Sequence, residues 1–129
     1  MKYITPILLA AVMFFSGCAS EKNASYRQVS PEEAVSIMRT EEDYIILDVR
    51  RQDEYDEAHI PEAICIPNEE IGTDEIPELP DKDQLILVYC RSGNRSKQAS
   101  QKLAELGYTN IVEFGGIIDW PGETVSEER

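Results

Sequence analysis

The sequence predicts an α/β fold in which helices cover both faces of a central parallel sheet. Short apolar segments alternate along the chain with polar, helix-compatible segments, which is the order of β–α–β units. The segments at 44–49 (YIILDV) and 85–89 (LILVY) are apolar almost throughout rather than at every second position, as strands buried on both faces are. Ligands of such sheets bind beyond the carboxyl ends of the strands, where Asp48 and Cys90 stand.

The first half of the domain carries the signals of two helices and two strands. Ser30 precedes Pro31 and is followed at the third position by Glu33, which is the pattern of a helix with Ser30 as its N-cap. The elements predicted in this half are a helix from Pro31 to about Arg39, a strand at 44–49, a short helix at 51–58 and a strand at 63–66.

The second half predicts two further strands around a longer helix. The segment 68–84 is acidic and contains prolines, and we expect a loop with at most one helical turn. Gly107 follows the last apolar position of the helix and marks its end. The elements predicted here are a strand at 85–89, a helix at 94–106, a strand at 111–114, a turn at Gly115–Gly116 and a short helix or turn from Ile117 to Trp120, whose indole we expect to anchor in the core.

The N-terminus has the pattern of an export signal. A lysine is followed by about 14 residues without a charge, fewer than the roughly 20 of a membrane span. Cys18 follows two small residues, and this ending resembles a bacterial lipoprotein signal, with Phe15 in place of the usual leucine. We therefore expect a signal peptide at 1–17, a lipidated Cys18 with a polar tether to residue 28, and a domain at 29–129. The product would be membrane-anchored and would face the periplasm or the cell exterior.

Charge and composition exclude several classes of partner and site. The formal net charge of −13 argues against binding to nucleic acid, where cations must meet phosphates. Arg91 and Arg95 form a local island of positive charge on this acidic background. Besides Cys18, the chain has only Cys65 and Cys90, with a single histidine and no CxxC pair. We therefore expect no metal site and no cofactor, and we predict that Cys65 is a small buried apolar residue.

The most informative motif is CRSGNRS at 90–96, between a predicted strand and a predicted helix. Backbone N–H groups converge at such a helix N-terminus and form an anion-binding concavity. A cysteine there has its pKa lowered from about 8.5 to roughly 3.5–7.5, and the thiolate is the nucleophile. Two arginines at this end of a helix, where the dipole disfavours cations, indicate that an anion sits among them. The predicted catalytic residue is Cys90, and the predicted binding loop comprises Arg91, Ser92, Gly93, Asn94, Arg95 and Ser96.

From about Tyr26 to Val125 the chain resembles the single-domain rhodaneses, a family of thiosulfate or persulfide sulfurtransferases. Ala58 stands where this family often has a glycine. The HIP-A-IP and CRSGxRS patterns together carry the resemblance. The matching pieces, in the family's order, are ILDVR at 46–50, EYDEAHIPEAICIP at 54–67, ILVYCRSGNRS at 86–96, AELGY at 104–108 and FGGIIDW at 114–120.

The resemblance implies that Cys90 accepts sulfane sulfur as a persulfide and passes it on. The implied partners are a small donor such as thiosulfate and a thiol or cyanide acceptor, with a redox protein as a further candidate. Asp48 and Arg50 are expected to support the loop or the edge of the site, and His59 to be structural. The family's fold is a three-layer α/β structure with a five-stranded parallel sheet, so we expect a further strand near 27–29.

Two alternatives to an enzyme of this family remain open. A non-catalytic module could bind sulfide or an oxyanion in the same loop without turnover, although an intact cysteine favours the enzyme. A phosphatase-like or arsenate-reductase-like thiol enzyme is the other alternative. Tyrosine and dual-specificity phosphatases place five residues between cysteine and arginine, whereas four separate Cys90 from Arg95. A reductase would also need a second positioned thiol, for which Cys65 is the candidate.

Overall fold

The computed structural model describes residues 25–127, and the predicted signal peptide and Cys18 lie outside them. Within that range no helix is both long and apolar enough to cross a membrane. The strands are β1 (Arg27–Gln28), β2 (Tyr44–Asp48), β3 (Ile64–Cys65), β4 (Leu85–Cys90) and β5 (Ile111–Gly116). The helices are α1 (Pro31–Thr40), α2 (Gln52–Glu57) and α3 (Asn94–Glu105), with 3-10 turns at Asn68–Glu70 and Ile117–Asp119.

The five strands form one sheet in the order β1-β5-β4-β2-β3, and every pairing is parallel. This confirms the predicted α/β class. The central strand β4 is buried at all of its positions. Parallel strands end at the same edge of a sheet, and Asp48 at the end of β2 is in register with Tyr89, the residue before Cys90. The polar ends of these two strands are therefore neighbours, as the sequence predicts.

The start of α1 follows the predicted capping pattern. The Ser30 hydroxyl accepts a hydrogen bond from the Glu33 amide at 3.1 Å, and the Glu33 carboxylate accepts one from the Ser30 amide at 2.9 Å. Two N–H groups that a helix end leaves unpaired are thus satisfied. Replacing such a cap with alanine typically costs about 1 kcal/mol, so the local sequence fixes where this helix begins.

Two layers of apolar side chains lie on opposite faces of the sheet. One layer includes Ala34 of α1, with Tyr55 of α2 at its border. The other includes Ala99 and Leu103 of α3 together with buried residues of the loop that precedes β4. Successive side chains of β4 alternate between the layers: Leu85, Leu87 and Tyr89 enter the first, and Ile86, Val88 and Cys90 the second. Cys90 therefore points to the face that α3 covers.

The sheet begins two residues before the predicted domain boundary at residue 29. Arg27 and Gln28, within the segment predicted as a tether, pair with Val112 and Glu113 of β5. Both β1 residues are exposed. An edge strand this short carries little apolar periodicity, so backbone pairing with β5 rather than side-chain burial places it in the sheet.

The prediction of a turn at Gly115–Gly116 is wrong. Both glycines complete β5, and Gly116 pairs with Cys90. The register between β4 and β5 shifts between Val88 and Cys90, because β5 has one more residue than β4 over this interval. Such a bulge bends the strand locally, and glycines at this place reflect close approach of two backbones rather than chain reversal.

Candidate active site

Cys90 is the last residue of β4 and is only 1% exposed. The chain turns directly after it and enters α3 at Asn94. Gly93 is the N-cap of α3 and has φ +113°, ψ −15°. This left-handed backbone is costly for residues with a side chain and readily available to glycine. The Gly93 amide donates a hydrogen bond to Cys90 Sγ at 3.0 Å, so the loop folds back over its own cysteine.

The thiol of Cys90 has donors on several sides. Burial by itself raises its pKa, because it disfavours the charged form. Hydrogen bonds from the Ser96 hydroxyl and from the backbone amides of Ser96, Gly93 and Ser92 outweigh burial, and the pKa of Cys90 is lowered from its ordinary value. The loop therefore favours the thiolate, as the sequence predicts for a cysteine at a helix N-terminus.

The wall opposite the loop is made by the end of β5. A methyl group on Gly116 would lie 1.9 Å from the carbonyl oxygen of Arg91 and 2.6 Å from Cα of Ser92. No side chain fits there without displacing the loop backbone. The Arg91 carbonyl also accepts a hydrogen bond from the Ile118 amide at 3.3 Å. The loop is thus packed between α3 and β5 and has little room to change shape.

The remaining loop side chains divide into exposed and half-buried groups. Arg91, Ser92 and Asn94 are exposed at the rim. The guanidinium of Arg95 forms two hydrogen bonds with Glu54 of α2, at 2.7 Å and 3.2 Å. Arg95 holds the pKa of Glu54 down at about 2. One of the two loop cations is therefore already paired with a carboxylate and connects α3 to α2, while Arg91 faces the solvent.

Asp48 and Arg50 form a buried ion pair beside this edge. Arg50 Nη2 lies 2.7 Å from Asp48 Oδ2, and Arg50 Nε lies 2.9 Å from Asp48 Oδ1. The same Nη2 also donates to the Ala58 carbonyl at 2.5 Å. The pair therefore fastens the end of β2 to the segment that follows α2. Asp48 is in register with Tyr89, the residue before Cys90, so the pair lies at the same sheet edge as the loop.

His59 is buried, and its contacts indicate a structural role rather than that of a general base. Its Nδ1 lies 2.8 Å from the Tyr55 carbonyl, and its ring stacks on the Tyr55 ring at 3.8 Å between centroids. Its backbone forms an antiparallel bridge with Val125 near the end of the described chain. These contacts are those of a structural residue, as the sequence predicts.

Cys65 and Cys90 are both free thiols. Cys65 ends β3, in register with Asp48 of β2, which in turn is in register with Tyr89 of β4. Two strand spacings therefore separate Cys65 from the β4 strand, about 9–10 Å, whereas a disulfide needs Cα atoms within about 7 Å. Burial raises the pKa of Cys65 to about 12. Cys65 thus lacks both the position and the ionisation of a resolving thiol in this conformation.

Sequence reasoning missed two acidic residues of the site. Glu54 lies on α2 and pairs with Arg95, and Glu113 lies on β5 and contacts Ser96. Glu113 is only 2% exposed. A carboxylate inside the apolar run IVEF at 111–114 is the signal that could have found it, because buried acids are rare unless paired. No local sequence pattern identifies Glu54, because its partner Arg95 is distant in sequence.

Together, fold and site define an α/β protein whose central parallel strand ends in a cysteine of lowered pKa, held by the amides of a short loop. The chain belongs to the rhodanese family: residues 30–122 match the family described as "Rhodanese-like domain". The resemblance seen in the CRSGNRS and HIP motifs is thereby confirmed at the level of the family.

Similar proteins support this assignment. The chain is 38% identical over 73 residues to the thiosulfate sulfurtransferase PspE of Escherichia coli, covering 57% of this chain and 70% of PspE. It is 35% identical over 96 residues to the thiosulfate sulfurtransferase GlpE of Coxiella burnetii, covering 74% of this chain and 87% of GlpE. The solution structure of a rhodanese-like domain from Anabaena superposes with a TM-score of 0.70 at 27% identity, covering 79% of this chain and 80% of that one.

Proposed function

We propose that the protein is a sulfurtransferase that moves sulfane sulfur from a donor such as thiosulfate to a thiophilic acceptor through a persulfide on Cys90. The observation that carries the proposal is the Cys90 thiol, whose Sγ accepts the Gly93 amide at 3.0 Å and whose pKa is lowered. Two relatives carry the name thiosulfate sulfurtransferase. Membership of the family supports the reaction class, and the lowered pKa of Cys90 supports its choice as the nucleophile.

The chemistry follows from a stabilised thiolate. The Cys90 thiolate attacks the outer sulfur of thiosulfate, a new S–S bond forms, and the S–S bond of the donor breaks, so that sulfite leaves with the electron pair. The terminal sulfur of the persulfide then carries the negative charge. An acceptor thiolate or cyanide attacks this sulfur, and Cys90 leaves as the thiolate. No net oxidation occurs, which agrees with a site that needs only one thiol.

The loop geometry supports a persulfide better than a phosphate ester. The backbone amides of the loop point at a single sulfur atom, where they stabilise developing charge. The loop arginine that would grip a phosphate, Arg95, is instead bound by Glu54 through two hydrogen bonds. A phosphate tetrahedron would have to compete with that carboxylate. The geometry thus favours sulfur transfer over phosphatase chemistry.

Steady-state transfer of sulfur from thiosulfate to cyanide, followed as thiocyanate, tests the proposed activity. We expect Cys90→Ser to abolish thiocyanate formation while the far-UV circular dichroism and thermal midpoint stay near those of the native chain. Cys65→Ser is the matched control and should keep the activity, because Cys65 lies two strands away. Turnover by Cys90→Ser would contradict the assignment of the nucleophile, and absence of turnover by the native chain with thiosulfate, persulfides and polysulfide would favour the binding module.

We further propose that the protein is exported and anchored to a membrane through a lipid on Cys18. The support is the sequence of the N-terminus, with an uncharged apolar run that ends in small residues before a cysteine. Metabolic labelling with a radioactive fatty acid tests this. We expect label on the native chain and none on Cys18→Ala. Equal labelling of both, or label on neither, would contradict the anchor.

A further inference from the structure

A second ionisable group lies beside the Cys90 thiol. Glu113 is on β5, on the face of the sheet that α3 covers, and is 2% exposed. Its Oε2 accepts a hydrogen bond from Ser96 Oγ at 2.5 Å and another from the Gly115 amide at 3.0 Å. The Ser96 hydroxyl also lies 3.4 Å from Cys90 Sγ. Cys90, Ser96 and Glu113 therefore form a continuous chain of hydrogen-bonding groups.

The Ser96 hydroxyl has only one proton to donate. When Cys90 is a thiol, its S–H donates to Ser96 Oγ, and the Ser96 O–H donates to the Glu113 carboxylate. When Cys90 is a thiolate, the backbone amides already hold the sulfur, and Ser96 can also donate to it if a proton passes to the carboxyl group of Glu113, which then donates to Ser96. The two arrangements contain the same number of protons, so the site can pass from one to the other internally.

We propose that Glu113 is the proton acceptor for Cys90 and positions the Ser96 hydroxyl that joins them. As the thiol ionises, its proton moves to Ser96 Oγ and the former Ser96 proton moves to a Glu113 oxygen. The use of this proton transfer in turnover rests on the proposed function. A thiol acceptor loses its proton when it attacks as a thiolate, and Cys90 ends the cycle as a thiol if it takes that proton up.

The charged groups around Cys90, Ser96 and Glu113 come from the loop and from α2, α3 and the edge of β2. The loop itself brings Arg91 and Arg95, and α2 brings Glu54 against Arg95. From α3, Lys97 borders the site: its Nζ lies 3.3 Å, and Glu113 Oε2 4.0 Å, from the point where a Cβ on Gly93 would stand. The edge of β2 holds the ion pair of Asp48 and Arg50.

Two backbone carbonyls compete for the Ser96 proton. Ser96 Oγ lies 3.0 Å from the Gly93 carbonyl and 3.4 Å from the Gly115 carbonyl. The 2.5 Å contact with Glu113 is the shortest of its contacts, and hydrogen bonds from a hydroxyl to a carboxylate are the strong ones. The carboxylate is therefore the preferred acceptor in the thiol form.

The pH dependence of alkylation tests the proposal on the full-length protein, without any sulfur donor. Iodoacetamide reacts with the thiolate, and mass spectrometry of the peptide that contains Cys90 separates this cysteine from the other two. Coupled groups titrate in two steps that belong to the pair. For the native chain we expect the rate of Cys90 alkylation to rise with pH in two steps. In Glu113→Gln and in Ser96→Ala the step at lower pH should be lost, so that one step remains.

Ser100→Ala is the matched control. Ser100 is buried one turn further along α3, and its hydroxyl has no hydrogen-bond partner in the described part of the chain, so both steps should persist.

A single step in the native chain, two steps in Glu113→Gln, or loss of a step in Ser100→Ala would each overturn the proposal. Two steps in Ser96→Ala would overturn the role of the hydroxyl. If Glu113→Gln does not fold, Ser96→Ala alone decides. Failure of sulfur transfer in the native chain would leave this titration intact and would refute only the proposed function.

Discussion

One short contact of Cys90 depends on a residue without a side chain. Gly93 adopts φ +113°, and in that conformation its amide reaches the sulfur at 3.0 Å while the next residue enters α3. The same amide is one of the donors that lower the pKa of Cys90. Conformation and ionisation are thus linked at this one position, and a substitution there should alter both.

Gly93→Ala should destabilise the protein and raise the pKa of Cys90. An alanine in this region of backbone space costs about 1–2 kcal/mol, and relaxation away from it withdraws the amide from the sulfur. Chemical denaturation measures the first effect, and the pH dependence of Cys90 alkylation measures the second.

Gly107→Ala is the control for Gly93→Ala. Gly107 also has a left-handed backbone, with φ +102°, and a methyl group there would meet no atom within 4 Å. It should lose similar stability and leave the titration of Cys90 unchanged. An unchanged titration in Gly93→Ala as well would show that the amide does not stabilise the thiolate.

At the scale of the elements, an ion pair joins α2 to α3 beside the Cys90 loop. Glu54 is on α2 and Arg95 is in the first turn of α3, and their bidentate contact joins helices from opposite faces of the sheet. Their side chains are 17% and 30% exposed, so the pair is screened less than one on the open surface. The link holds the side chain of Arg95 in place beside the loop.

Glu54→Gln should remove about 2 kcal/mol of stability at neutral pH, after allowance for solvent screening. The pKa of Glu54 is lowered to about 2 by Arg95, from an ordinary value of 4.5. A carboxylate whose pKa is lower in the folded chain than in the unfolded chain stabilises the fold at any pH above the unfolded pKa. This contribution is lost as the pH falls from about 4.5 to 2. Urea denaturation across that range should therefore show a flatter pH dependence in Glu54→Gln.

Asp53→Asn is the matched control on the same helix. Asp53 pairs with Arg51, and both side chains are well exposed, so its loss should change stability less than that of Glu54. Equal effects of the two substitutions would contradict a special role for the link between α2 and α3.

At the scale of the whole molecule, the parts with strong local signals were predictable. The wholly apolar run LILVYC marked the central strand, and the capping box at Ser30 and Glu33 marked the start of α1. The loop after β4 was predictable because strand, cysteine, glycine and helix follow one another within a few residues. Each of these features is encoded in a contiguous stretch of sequence.

The parts that could not be predicted depend on pairing between distant residues. Glu54 meets Arg95 only after the sheet has brought α2 beside α3. Glu113 reaches Ser96 because the bulge in β5 fixes where the strand lies against the loop. The sheet register that separates Cys65 from β4 is likewise a property of the fold. Such contacts have no periodicity of their own in the sequence.

The central claim is that Cys90 carries sulfur as a persulfide, and intact mass measures this most directly. The intact mass of the purified protein would be measured before and after incubation with thiosulfate, with Cys90→Ser measured in parallel. We predict a gain of one sulfur atom on the native chain, reversed by cyanide or a thiol and absent from the variant. A native chain that gains no sulfur from thiosulfate, persulfides or polysulfide, or a Cys90→Ser chain that gains as much, would contradict the claim.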